Sequence, residues 1–330
     1  MLLKINSITR LTCLFFCFIK TFSTYSQEEV KSYTSEISVS TDNDIFVFYR
    51  DTDRYYSYGI AIGYSFKKEK FLGLEKLFRN KKDVFYKVNA RIEGYTPSDV
   101  DIFAETLEIE DRDDFDRPFA GLLYGTFSAN YLFERSFLKT ELLLGIMGPS
   151  SQAGDLQSWF HGNVTGDPVF DGWQFQLANR FLANLNINYV YDFKPNNTWF
   201  DVYGKTDIRL GSLYVQGAPS IGVLLGKFNS ISTSSGFDNG IAAKKNRNEL
   251  FFKIETESRF NLFNSTIQGN IFDDSIFSFR DLNNLSWHYL IGLFYSRNRF
   301  SANFSFQYST GVLNATQNHA FGIIGLAYGL

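Results

Sequence analysis

The sequence predicts an all-β fold, a transmembrane antiparallel barrel of about twelve strands with a short helix in one extracellular loop. Three observations carry this reading. Apolar and polar residues alternate with a period of two along most of the chain, which is the signature of strands with two different faces. Outside the N-terminus no apolar run approaches the roughly 20 residues that a membrane-crossing helix needs, and mean hydropathy is slightly negative at −0.16. The alternation also continues to the last residue, with Ile324, Leu326, Tyr328 and Leu330 opposed to Gly325, Ala327 and Gly329, as in a strand that closes a barrel.

The first 26 residues read as a secretory signal. Lys4 and Arg10 precede an apolar stretch from Leu11 to Ile19, and the small residues Ser23, Thr24 and Ser26 follow. The apolar core is too short to remain as a membrane helix. A barrel domain over residues 27–330 is expected. Cys13 and Cys17, the two cysteines of the chain, lie in the signal, so thiol and disulfide chemistry are not expected in the mature protein. Cleavage would also remove three basic and no acidic residues, leaving a net charge of about −6. An acidic surface argues against a nucleic-acid partner, which needs basic residues to meet phosphates.

The strands follow in order. Glu36–Asp44 opens the series. In Tyr55–Phe66, Tyr56, Tyr58, Ile60, Ile62, Tyr64 and Phe66 alternate with Ser57, Gly59, Ala61, Gly63 and Ser65. Val84–Tyr95 confines Lys87, Asn89, Arg91 and Glu93 to one face. Phe119–Phe133 and Phe137–Met147 come next, followed by about 17 residues of alternation in Leu177–Phe193. Trp199–Leu210, Tyr214–Lys227, Leu250–Phe260, Trp287–Arg297, Phe300–Ser309 and His319–Leu330 complete twelve. An even number suits a bacterial outer-membrane barrel. Several strands exceed the roughly 5–6 residues usual in soluble sheets and reach the 9–11 needed to cross a bilayer. A secreted β-sandwich would alternate too, but the tyrosines and phenylalanines gathered toward strand ends suit interfacial girdles better than a packed core. Between strands, Lys67–Lys82 contains the amphipathic stretch FLGLEKLF, and Asn229–Arg247 is rich in Ser, Asn and Gly.

Two segments carry more than a passive barrel requires. Asp42, Asn43 and Asp44 close the first strand, and Asp51, Asp53 and Arg54 precede the second. That density of carboxylates suits a hard cation, although Asp and Asn are also ordinary turn residues. The second segment runs from Gly148-Pro149-Ser150 to Trp173. Its middle, Ala153–His161, can form about two helical turns with Gln157 and His161 on one face. His288 and His319 fall in or beside strands, where packing roles are expected. No Gly-x-Ser-x-Gly, HExxH, P-loop or CxxC motif occurs.

Seven pieces in order resemble the LpxR family of outer-membrane lipid A 3'-O-deacylases. They are Asn43-Asp44, the run Asp53 to Gly59, Tyr95-Thr96-Pro97, Asp116 to Gly121, Gly148-Pro149-Ser150, the Gln157–His161 helix, and Gly172 to Gln176. The resemblance implies a twelve-stranded barrel in the outer membrane of a Gram-negative bacterium. It implies Ca²⁺-dependent hydrolysis of ester-linked acyl chains at the 3' position of lipid A, with His161 as general base and Asn43, Asp44, Ser57 and Gln157 completing the site. Asp44 is the expected metal contact. Imidazole titrates near neutral pH and suits the base role. Lipopolysaccharide would be the substrate, outer-membrane lipids the surroundings and the barrel assembly machinery the partner during insertion; a monomer is expected. An outer-membrane phospholipase and a non-enzymatic small channel are the alternatives. Two points need the structure: neighbouring strand residues Asn43 and Asp44 should face opposite ways unless the strand ends there, and Ser98-Asp99-Val100-Asp101 stands where the family has a lysine.

Overall fold

A computed structural model describes residues 33–47, 55–98, 115–166, 171–194, 199–243, 247–270, 282–313 and 318–330. The proposed signal, with both cysteines, and the acidic residues Asp51 and Asp53 with Arg54 lie outside the described residues. Twelve antiparallel strands close into one barrel in which every strand pairs with its sequence neighbours and β1 pairs with β12. They are β1 Ser35–Asn43, β2 Tyr58–Phe66, β3 Asp83–Tyr95, β4 Ala120–Leu132, β5 Ser136–Met147, β6 Arg180–Asp192, β7 Phe200–Gly211, β8 Tyr214–Lys227, β9 Arg247–Asn264, β10 Leu285–Asn298, β11 Phe300–Ser309 and β12 His319–Gly329. Closure comes from the terminal segment, where Glu36 pairs with Gly329 and Asn43 with Gly322.

All twelve expected strands are present, with shifted ends. β2 starts at Tyr58 because Tyr55 adopts a left-handed φ of +65°, which a strand cannot continue through. β6 starts at Arg180 rather than Leu177. β9 extends over 18 residues, well past the expected Leu250–Phe260, and a register shift at Val215/Gln216 in its partner β8 accommodates it.

Alternation sorts side chains as expected. Ile37, Val39, Ile60, Ile62, Tyr64, Val88, Leu123, Leu142 and Leu144 form part of an exposed apolar belt outside the wall, a surface suited to lipid. Charged residues point inward and pair there. Arg91 bridges Asp42 and Glu93, and Lys205 bridges Glu255 and Glu257. Asp42, Arg91 and Lys205 line a lumen cavity of about 570 Å³.

The two ends of the barrel differ. The end carrying both termini has some tight connections, and the other has longer ones between β1 and β2, β3 and β4, β5 and β6, and β9 and β10. Short turns are periplasmic and long loops extracellular in such barrels. On the periplasmic side, residues 228–243 fold inward and fill the barrel mouth. Ile231, Ile241, Ala242 and Phe237 pack against Phe85, Leu132, Val190, Tyr203, Leu224 and Phe251 of the wall. The buried Glu249 carboxylate fixes this plug. It accepts from the backbone N–H of Asn229 (2.9 Å) and Ser235 (3.0 Å), and from the hydroxyls of Ser235 (2.6 Å) and Ser296 (2.9 Å).

Candidate active site at the extracellular rim

The conflict at Asn43 and Asp44 is resolved by the end of β1. Asn43 is its last residue, and Asp44–Phe46 turn into a 3-10 helix. Asn43 Oδ1 accepts from the Ile45 N–H at 2.7 Å, an N-cap that stops the strand there. Asp44 is therefore freed from strand alternation and is buried. Its N–H donates to the Ser57 carbonyl at 3.4 Å, and its own carbonyl accepts from the Val47 N–H at 2.8 Å. Phe46 leans on Gly322 of β12, where an added Cβ would run into the Cβ of Phe46.

Ser57 is fixed from the opposite side. Tyr55 and Thr96 exchange backbone hydrogen bonds at 2.8 and 3.3 Å, and the Ser57 N–H donates to Gly94 at 3.0 Å. The Ser57 and Thr96 hydroxyls lie 2.6 Å apart, both buried. Arg117, just before β4, holds the left-handed Tyr55 in place by donating to its carbonyl at 3.0 Å. The same guanidinium donates to the Thr266 carbonyl and hydroxyl at 3.2 and 3.3 Å and sits 4.8 Å over the Tyr95 ring. Burial pulls its pKa below the usual arginine value, but a guanidinium stays charged in a protein. One buried cation thus ties three loops together.

The predicted helix is present as α1, Ala153–Phe160. Gly148 (φ +99°) and Gln152 (φ +59°) turn the chain into it. Gln157 and His161 share its inner face and are both buried, while Trp159 faces outward. The His161 N–H closes the helix on the Gln157 carbonyl, and a π turn over His161–Thr165 follows. Trp173 donates its indole N–H to Gln157 Oε1 at 2.7 Å. The Tyr58 hydroxyl donates to the Ala153 carbonyl at 2.6 Å.

These contacts place α1 on a particular side of the wall. It packs with Phe115, Phe119 and Trp173 against Tyr58 and Ile92. Tyr58 belongs to the outward set of β2 with Ile60 and Ile62, and Ile92 to that of β3 with Val88. The helix therefore lies against the outside of the barrel over β2–β4, and the buried Gln157 and His161 are carried on that side of the wall rather than in the lumen. Gly121 of β4 permits the approach, since a Cβ there would meet Ser151 Oγ at 2.5 Å and the Ala153 Cβ at 2.8 Å.

At this end of the barrel the expected residues fall into two pairs. Asp44 and Ser57 are joined by a backbone hydrogen bond, Gln157 and His161 by one helix face, and Tyr58 links the two pairs. Asn43 stands beside them as a cap. Asp42, grouped by sequence with a cation site, is turned into the lumen instead, where it pairs with Arg91 and accepts from the Tyr56 hydroxyl at 2.9 Å. Among the described residues, no three His, Cys, Asp or Glu side chains gather as a metal cluster. A cation on this rim would rest on the Asp44 carboxylate with neutral oxygens such as the Ser57 and Thr96 hydroxyls and main-chain carbonyls. That all-oxygen set fits Ca²⁺. His319 packs against rings, stacking on Phe321 and meeting Tyr55 edge-on, whereas the buried His288 is held by polar contacts with Ser286 Oγ at 3.0 Å and the Gln307 side chain at 3.4 Å.

Sequence reasoning did not assign roles to Tyr58, Thr96, Arg117 and Trp173. All four sit in motifs that carried the family resemblance, but only the fold shows that they converge on one rim.

The profile of a family described as "Outer membrane protein LpxR" matches residues 11–330 of this chain. Among curated proteins no sequence relative matches. Among solved structures, LpxR from Salmonella typhimurium superposes with a TM-score of 0.69 at 19% identity, covering 89% of this chain and 100% of that one. The β-domain of the Bordetella autotransporter BrkA (TM-score 0.42, 10% identity, 91% and 100% covered) and the KdgM porin (0.38, 7%, 89% and 99%) share only the general barrel form.

Proposed function

Because the chain belongs to the LpxR family of outer membrane proteins, and is thereby a protein of the Gram-negative outer membrane, we propose that it is a Ca²⁺-dependent lipid A 3'-O-deacylase. One observation carries the reading: α1, the helix that bears the buried Gln157 and ends at the buried His161, packs against the outside of the wall at the extracellular end. An amphiphile of the outer leaflet reaches such a cleft sideways, with its headgroup at the rim and its acyl chains along the exposed belt of Ile60, Ile62 and Leu123. A lumen site would serve soluble substrates instead.

In the proposed reaction His161 takes a proton from a water molecule, and the resulting hydroxide adds to the ester carbonyl carbon. The tetrahedral oxyanion collapses, the bond from carbonyl carbon to sugar oxygen breaks, and the proton on His161 passes to that oxygen. The products are a sugar 3'-hydroxyl and a free carboxylate. Gln157 orients the helix face through Trp173, and the Ser57–Thr96 hydroxyl pair, in which one O–H is spent on its partner, offers one donor at the developing oxyanion. Ca²⁺, held by Asp44 with neutral oxygens, would supply Lewis-acid polarisation of the ester carbonyl. Ser98-Asp99-Val100-Asp101 stands where the family has a lysine, so phosphate recognition at this edge is expected to rest on other groups.

The test is release of fatty acid by the purified barrel from lipid A and, separately, from glycerophospholipid in mixed micelles. Release from lipid A alone is expected. Release from phospholipid alone would replace this reading with the phospholipase one. The plugged periplasmic mouth speaks against the channel alternative.

A further inference from the structure

Between β2 and β3 the chain does not turn tightly. Residues 67–82 leave the periplasmic rim and fold back against the outside of the wall. Phe71, Leu74 and Phe78 face the barrel and pack on Tyr86 and Tyr131, and the Tyr131 hydroxyl donates to the Leu74 carbonyl at 3.3 Å. Tyr86 and Tyr131 belong to the outward sets of β3 and β4, in line with Val88 and Leu123. The far side of this segment therefore faces the surrounding bilayer at its periplasmic level.

Leu72 and Leu77 occupy that far side, 83% and 62% exposed. Leu72 holds a φ of +52° and Gly73 one of +77°, a backbone that a leucine adopts rarely. In water such a leucine would gain nothing from its position, whereas in lipid it is an anchor. The segment also carries seven Lys and Arg residues against two Glu, in a chain of net charge −3. Lys67 and Lys82 are paired with Asp83 and Glu134. Lys68, Lys70, Lys76 and Arg79 have no acidic side chain within 4 Å among the described residues. Exposed apolar residues flanked by uncompensated cations are what an interfacial segment needs to lie on an anionic lipid surface.

We propose that residues 67–82 form an interfacial anchor for the anionic phospholipid surface of the inner leaflet. Leu72 and Leu77 enter the acyl region, and Lys68, Lys70, Lys76 and Arg79 meet headgroup phosphates, with lysine stems running along the apolar surface. The anchor stands on the same β2–β4 strip of wall as α1, at the opposite membrane face, and so fixes the depth at which the extracellular cleft sits. The inference does not depend on which reaction that cleft carries out.

The test uses the full barrel with a Leu72→Cys substitution, spin-labelled and reconstituted in phosphatidylcholine vesicles with or without phosphatidylglycerol. A label at Ile62→Cys, on the exposed belt, reports insertion of the barrel. The Leu72 label is expected to collide more with oxygen than with a water-soluble nickel chelate, and this preference is expected to rise with phosphatidylglycerol. Lys68→Glu, Lys70→Glu, Lys76→Glu and Arg79→Glu together should abolish the rise. A nickel-accessible Leu72 label beside a lipid-shielded Ile62 label would overturn the anchor. So would a Leu72 label shielded from both reagents, which would indicate a protein partner. A lipid preference unaffected by charge reversal would overturn the anionic assignment.

Discussion

Gly154 offers a sharp test of how α1 is held. An added Cβ would come within 2.7 Å of Trp173 Cδ2 and 2.8 Å of its Cγ. The indole cannot retreat freely, because Phe119 packs against it at 5.2 Å. Helix propensity alone says that Gly154→Ala should stabilise α1 by about 1 kcal/mol. The packing says the opposite: overpacking costs about 1–3 kcal/mol, and displacing the indole removes the 2.7 Å hydrogen bond to Gln157, for about 1 kcal/mol more. The net loss is about 1–3 kcal/mol in docking α1 on the wall. Gln157 and His161 move with the helix, and a displacement of 1 Å at a reacting group can cost roughly 10²-fold in rate. The assay is deacylation of lipid A by the purified Gly154→Ala variant, with limited proteolysis of the β5–β6 loop as the readout of docking. Activity within twofold of the parent and unchanged protection would refute the packing argument.

Further outcomes follow from neighbouring contacts. Tyr58→Phe deletes the 2.6 Å bond to the Ala153 carbonyl; a loss of about 1 kcal/mol of helix docking should appear as faster cleavage of the same loop with the barrel intact. Arg117→Met leaves the Tyr55 and Thr266 carbonyls without their buried donor, which should lower urea or thermal stability by about 1–3 kcal/mol, whereas Ser57→Ala should reduce activity with a smaller change in stability. Glu249→Ala removes the acceptor of three plug hydrogen bonds and of one from Ser296 of the wall, so planar-bilayer recordings should show conductance steps absent from the parent. Chelation of Ca²⁺ should abolish turnover, and re-addition should restore it; turnover unaffected by chelation would remove the cation from the account.

The strands were legible because lipid outside and charge inside impose the same alternation on every one of them, as in Ile60, Ile62 and Tyr64 against Gly59, Ala61 and Gly63. The helix was legible from Ala153 to His161 for the same kind of reason. Which surface it covers was not, because that depends on the parity of Tyr58 and Ile92, residues 95 and 61 positions before Ala153. Asp42 was misread with a cation site because its partner Arg91 comes from β3, a neighbour that only strand register supplies. The plug read as a loop rich in Ser, Asn and Gly, since its inward fold is held by Glu249, a carboxylate in the following strand. Residues 67–82 showed an amphipathic pattern, but nothing in the pattern says that its apolar side would be divided between wall and lipid.

The deacylase assignment is settled by mass spectrometry of lipid A from cells that express the parent protein, the His161→Ala variant or neither. Loss of the 3'-linked acyl chain is expected only with the parent, while His161→Ala accumulates in the outer membrane as a folded barrel. Unchanged lipid A beside a correctly inserted parent barrel, or deacylation that survives His161→Ala, would contradict it.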